Sequence, residues 1–109
     1  MTINELILSG IAQIKNEAHK LISPTDWYII RQVETGIPVP AAITTYRNAV
    51  RSITEQRIAL ISVVTTEDEY YTQLTKQATV PGLEPGTTIP VEGGNPDWPE
   101  LPDQTAYYY

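Results

Sequence analysis

The prolines and glycines of this chain are gathered at one end, and that divides what the chain can fold into. Six of the nine prolines and four of the six glycines fall in residues 79–109, with Gly93-Gly94 in the middle. Proline removes a backbone donor and glycine costs backbone entropy, so this stretch cannot carry a long helix or a central strand. It reads as an extended, Pro/Gly-rich tail of polyproline-type segments and turns. A packed domain has to come from residues 1–78, enough chain for one modest core.

Within residues 3–22, Ile7, Ile11, Ile14, Ala18 and Leu21 stand four, three, four and three apart, with Glu5, Lys15, Glu17 and Lys20 between them. That spacing predicts an amphipathic helix with a heptad-like stripe, which either faces a core or pairs with another helix as in a coiled coil. Leu6, Ile7 and Leu8 are consecutive and wrap most of one turn, so part of that turn has to meet a second surface. Ser23-Pro24-Thr25-Asp26 then supplies helix-start chemistry. Pro24 ends the preceding helix, and a hydroxyl or carboxylate accepts the orphan N–H groups of the next first turn.

The next helix is short, at about 26–35, because Gly36 offers the left-handed residue that stops a helix. Ile37-Pro38-Val39-Pro40 is an extended connector, since each proline pushes its predecessor out of helical geometry. A third helix at about 41–61 follows from Ile43, Tyr46, Ala49, Val50 and Ile53, with Arg47 and Arg51 one turn apart on another side. Thr66 with Glu67, Asp68 and Glu69 reads as a cap and acidic first turn for a last helix at about 67–77, holding Tyr70, Tyr71 and Leu74. A small β element at 59–64 is the alternative there, because Ile, Val and Thr favour strands. The expected fold is all-α: a small bundle of three to four short helices followed by the extended tail.

Charge and residue inventory limit the chemistry. The net charge is -6; residues 80–109 hold five acids and no base, and residues 1–79 hold seven bases against eight acids. Phosphate neutralisation needs clustered Lys and Arg, so protein is the expected partner and nucleic acid is not. The start of the chain lacks a basic, continuously apolar signal, and polar residues break every apolar run before membrane-spanning length. The expectation is a chain neither exported by that route nor inserted in a membrane. With no cysteine and a single histidine, His19, there is no thiolate and no second imidazole for a metal, so no cofactor and no enzymatic activity are expected. Glu67, Asp68 and Glu69 point in different directions round a helix, and their first-turn position already accounts for them. Gly93-Gly94-Asn95-Pro96 has no Lys and no following helix, so it reads as a turn and not as a phosphate loop.

The large aromatics carry more. The chain has no Phe, so Trp27, Tyr28 and Tyr46 must serve as core or as interface anchors; Trp27, inside a periodic helical segment, is expected in the core together with Tyr46. Trp98, between Pro96 and Pro99, is expected to dock into a groove, in cis or in trans. The run Tyr107-Tyr108-Tyr109 has no physical account in the sequence.

Taken together, Thr25-Asp26-Trp27-Tyr28, the connector ending at Pro40, Tyr46-Arg47-Asn48-Ala49-Val50-Arg51 and Asp97-Trp98-Pro99 resemble the phage tail assembly chaperone family. Its members share an (S/T)DW, then a YR-x-A-(L/V)-R helix, then a WP segment. Order and spacing agree over about Leu21 to Ile53, roughly a third of the chain, and Trp98-Pro99 follows after a longer insertion than the family usually has. The resemblance implies a small phage protein that helps a tail fibre fold and trimerise in the host cytoplasm, and that in some relatives stays in the virion tail. Its partner would be a trimeric fibre protein. In that setting Asp26, Trp27, Tyr46, Arg47 and Arg51 form the structural motif, Asp26 capping its helix and pairing with Arg47 or Arg51. Ile7, Ile11, Ile14, Trp98, Pro99 and Leu101 face the partner, with self-association through the N-terminal helix as a further expectation. The alternative is a structural baseplate or fibre-connector subunit, its heptad-like helix in a trimeric bundle and its tail threaded along a neighbour.

Overall fold

The computed structural model describes residues 1–107; Tyr108 and Tyr109, most of the tyrosine run, lie outside the described residues. The first helix, α1 (Ile3–Ile22), begins where the Thr2 hydroxyl accepts the Glu5 N–H at 3.2 Å, and His19 and Lys20 in its last turn suit the negative end of the helix dipole. A single 3-10 turn over Ser23–Thr25 leads into α2 (Asp26–Thr35), which stops at Gly36 with φ 79°, a conformation that needs no Cβ. After the proline connector α3 runs over Ala41–Ser62, so residues 59–62 of the stretch for which a strand was the alternative form its last turn, and Val63 and Val64 follow as its cap and a loop. The fourth helix, α4 (Glu67–Thr75), is capped by the Thr66 hydroxyl, which accepts the Glu69 N–H, while the Glu69 carboxylate reaches back to the Thr65 N–H.

α4 ends two residues before the expected boundary because Asn95 takes over its terminal carbonyls. The Asn95 amide donates to the Gln73 and Lys76 carbonyls at 2.6 and 3.0 Å, and Lys76 leaves in an extended conformation. The chain then forms a hairpin of β1 (Thr79–Pro81) and β2 (Thr88–Pro90), with Val80 opposite Ile89. This corrects the expectation of a wholly extended tail. Pro81 and Pro90 stand at strand ends, where the two-stranded ladder loses little by a missing donor. Gly86, at φ 80°, supplies the left-handed residue of the turn. The protein is predominantly helical with one small antiparallel sheet.

The core lies where α1 crosses α3, the most extensive contact between elements. Ala18, Tyr46 and Val50 form one buried cluster, with Leu21, Ile22 and Trp98 packed against it. Towards the other end α1, α3 and α4 meet at Gly10, where an added Cβ would lie 2.7 Å from the Tyr70 hydroxyl and 2.9 Å from Ile61 Cδ1. The molecule is a plate: its Cα extents are 51 × 41 × 14 Å, and its radius of gyration is 17.4 Å. A compact chain of this length would have roughly 13 Å. Among the described residues, no helix is long and apolar enough to cross a membrane.

Candidate protein-docking surface

The motif residues converge on the start of α2. Arg47 of α3 donates from Nη1 to Asp26 Oδ1 at 2.9 Å and to the Thr25 hydroxyl at 2.8 Å. Thr25 is fully buried and passes its own proton to the Ile22 carbonyl at 2.7 Å. One guanidinium therefore ties the α1–α2 turn to α3. The exposed half of this arrangement, the ion pair itself, contributes up to about 1 kcal/mol, and the bond to the buried hydroxyl adds the cost of leaving that group unpaired. Arg51 takes no part in it and donates to Asn48 Oδ1 within α3. Asp26 stands inside the first turn of α2 and its carboxylate goes to Arg47; no side chain caps that helix.

Tyr28, not Trp27, takes the interior position on α2. Tyr28 is fully buried and donates its hydroxyl proton to Gln104 Oε1 at 2.7 Å, and the Tyr107 ring meets it edge-on at 6.1 Å between centroids. Trp27 is half-buried and stacks on Tyr28 at 3.9 Å. Arg31 lies over both rings, 4.9 Å from Trp27 and 5.5 Å from Tyr28, and donates to the Tyr107 carbonyl at 2.9 Å. The last described residues of the chain are thus held on α2 by side chains 76 positions earlier.

Trp98 docks in cis. Its ring packs on the Ala18–Tyr46–Val50 cluster, Arg57 lies 4.6 Å above the ring, and the indole N–H donates to Glu17 at 3.2 Å. Arg57 also donates to the Pro96 carbonyl at 2.9 Å, fixing the approach of the segment. Residues 95–107 therefore form a strap that starts at the end of α4, crosses the α1–α3 contact and finishes on α2. Of the six residues expected to face a partner, Ile14 is buried within the chain and Trp98 is occupied by its own helices. Ile7, Ile11 and Pro99 are half-buried, and Leu101 is exposed.

The surface that sequence reasoning missed is the outer face of α2. Ile29, Ile30 and Val33 share one side of that helix and are exposed, Ile30 by 56% and Val33 by 82%. Read as sequence, these residues fall in a short helix at about 26–35 with no surface assigned to them. The available signal was that a helix this short cannot bury Trp27, Tyr28, Ile29, Ile30 and Val33 together unless it is enclosed on every side. Beside Ile29 lies an open depression of about 280 Å³ bounded by Thr44, Arg47, Asn48 and Arg51. An apolar ridge bordered by two guanidinium groups suits a protein surface that presents apolar side chains together with carboxylates or carbonyls.

Titration adds little chemistry. Burial raises the Tyr46 phenol above its ordinary value, in keeping with its hydroxyl donating to the Leu21 carbonyl at 2.8 Å. Burial, and then the neighbouring Tyr71, raise Tyr70. Hydrogen bonds from the Thr105 backbone and hydroxyl lower the exposed Asp103. His19 is exposed on α1, and among the described residues no group of three or more His, Cys, Asp or Glu side chains is placed to hold a metal ion. No protein-family model, curated protein or solved structure matches this chain.

Proposed function

We propose that this protein is a phage tail-fibre assembly chaperone: it binds an incompletely assembled fibre chain, covers apolar surface until the fibre trimerises, and has no catalytic role. The observation that carries the reading is that the three motif pieces act on one helix. Thr25-Asp26 and Arg47 hold the entry to α2, and the strap that begins at Trp98 ends on Tyr28 and Arg31, so α2 is braced while Ile29, Ile30 and Val33 stay outward. A braced helix presenting an apolar face meets a partner at little further entropic cost. The Pro-rich strap is the finer element of the reading: an extended segment whose Pro99 and Leu101 continue the contact along the fibre.

The test is co-expression with the fibre gene of the same genome, followed by size-exclusion chromatography with light scattering. Soluble trimeric fibre should require this chain, and Val33→Glu should abolish the requirement's fulfilment while helicity is retained. Fibre that trimerises equally well without the chain would overturn the proposal. The plate-like form and projecting hairpin favour a second reading, a structural baseplate or fibre-connector subunit laid against a neighbour. Stoichiometric presence of the chain in purified virions, with no effect on fibre solubility, would select it.

A further inference from the structure

The plate exposes more surface than its mass requires. Its accessible area is 7393 Å², whereas a compact monomer of 12.2 kDa exposes roughly 6,100 Å². The excess of about 1,300 Å² exceeds the roughly 800 Å² that each partner gives to a standard interface. A single layer of helices also leaves one helix flank without the second layer that folded domains ordinarily supply.

On α1 that flank has a distinct composition. Leu6, Gly10, Ile14 and Ala18, four residues apart, are the buried edge. Ile7 and Ile11 sit beside that edge half-buried, and Leu8 is 66% exposed. Glu17 and Leu21, next to Trp98, lie on the other side of that edge, about 120° and about 80° round the helix from Ile11 at 100° per residue. The strap therefore does not occupy the Ile7–Ile11 side.

We infer that two copies of this chain pair through an antiparallel contact between their α1 helices, with Ile7, Leu8 and Ile11 as its apolar centre. The register follows from the residues. When two α1 helices run antiparallel and are centred near residue 10, Leu8 of each copy falls beside Ile11 of the other, and Glu5 of each falls beside Lys15 of the other. Both charged groups are exposed on the monomer, and the two-fold axis forms the pair twice. A parallel pair would instead set Glu5 against Glu5 and Lys15 against Lys15, which charge repulsion disfavours. The overlap of residues 3–17 is roughly 21 Å long, within the range of short helical seams. This inference does not rest on the chaperone reading, and neither stands or falls with the other.

Light scattering on the full chain tests it. The wild type should show twice the 12.2 kDa chain mass. Leu8→Glu with Ile11→Glu should give a monomer whose helical circular dichroism is unchanged. Lys15→Glu, a surface change that leaves the fold alone, should weaken pairing by about tenfold, because two attractions become two repulsions. Glu5→Lys combined with Lys15→Glu should restore it. A wild type that is monomeric at about 0.1 mM, a trimer, a dimer indifferent to these variants, or a charge swap that fails to restore pairing would each overturn the inference.

Discussion

The α1–α3 layer and the segment after α4 are held by different forces. Where α1 crosses α3 the contact is apolar: Ala18, Val50, Ile43 and Ile61 are buried, and the hydroxyl of the buried Tyr46 is satisfied by a backbone carbonyl. Residues 76–107 bury little and are attached at points: Asn95 on the end of α4, Trp98 between Glu17 and Arg57, Gln104 on Tyr28, and the Tyr107 carbonyl on Arg31. Apolar burial is non-directional and scales with area, so it fixes a helix pair without specifying one atom. Hydrogen bonds specify atoms, but each adds only about 1 kcal/mol net. The helical layer should therefore hold the fold, while the strap and hairpin can be loosened one contact at a time.

Four experiments would break or sharpen that contrast. The largest effect is expected from Tyr46→Ala, which empties the shared cluster and leaves the Leu21 carbonyl without its donor. A loss of about 3–5 kcal/mol should appear as one cooperative shift of the urea midpoint for the whole protein. Trp98→Ala should cost about 2 kcal/mol, yet leave the far-ultraviolet helical signal in place while amides of residues 99–107 exchange faster. If α1 and α3 melt with it, the strap is part of the core and the contrast fails.

Asn95→Ala should cost about 1 kcal/mol, and only locally. Hydrogen exchange should accelerate about tenfold in the hairpin and at the end of α4, with α1 unchanged. The smallest effect concerns pH. Tyr46 and Tyr70 have raised folded-state values, so their contribution is complete below the ordinary tyrosine pKa of 10.0 and is lost as pH rises through the folded values. The melting temperature should start to fall above pH 10, and Tyr46→Phe should blunt that fall.

Much of the helical framework was legible from local chemistry. Thr66 as a cap, Gly36 as a stop and the prolines of the connector act within a few residues of the bonds they make, so reading along the chain finds them; the Thr2 cap acts as locally and was overlooked. The end of α4 was not legible, because the group that terminates it, Asn95, is nineteen residues beyond Lys76. Gly10 carried no signal of its role either. It reads as a weak point in a helix, and only the approach of Tyr70 and Ile61 from two other elements explains why no side chain fits there. The hairpin was hidden by composition: prolines argue against a sheet interior, and they are tolerated because this sheet has only two strands and therefore no interior strand.

For the candidate surface the division is similar. Asp26, Tyr46 and Arg47 were identifiable from the sequence as a set, but which of Arg47 and Arg51 would meet Asp26 depended on the angle at which α2 leaves α3. Trp98 was identifiable as an aromatic that had to dock, and the choice between its own helices and a partner was not. By itself the sequence determined where the helices start and where the first two stop, that the acidic Pro/Gly-rich end would not be helical, and that the chain has one histidine and no cysteine to titrate near neutrality or bind metal. Only the tertiary structure decided which apolar residues are consumed and which remain outside. Periodicity assigns a residue to a face of its helix, whereas burial depends on whether another element covers that face, and in a plate one helix layer thick many faces are left uncovered.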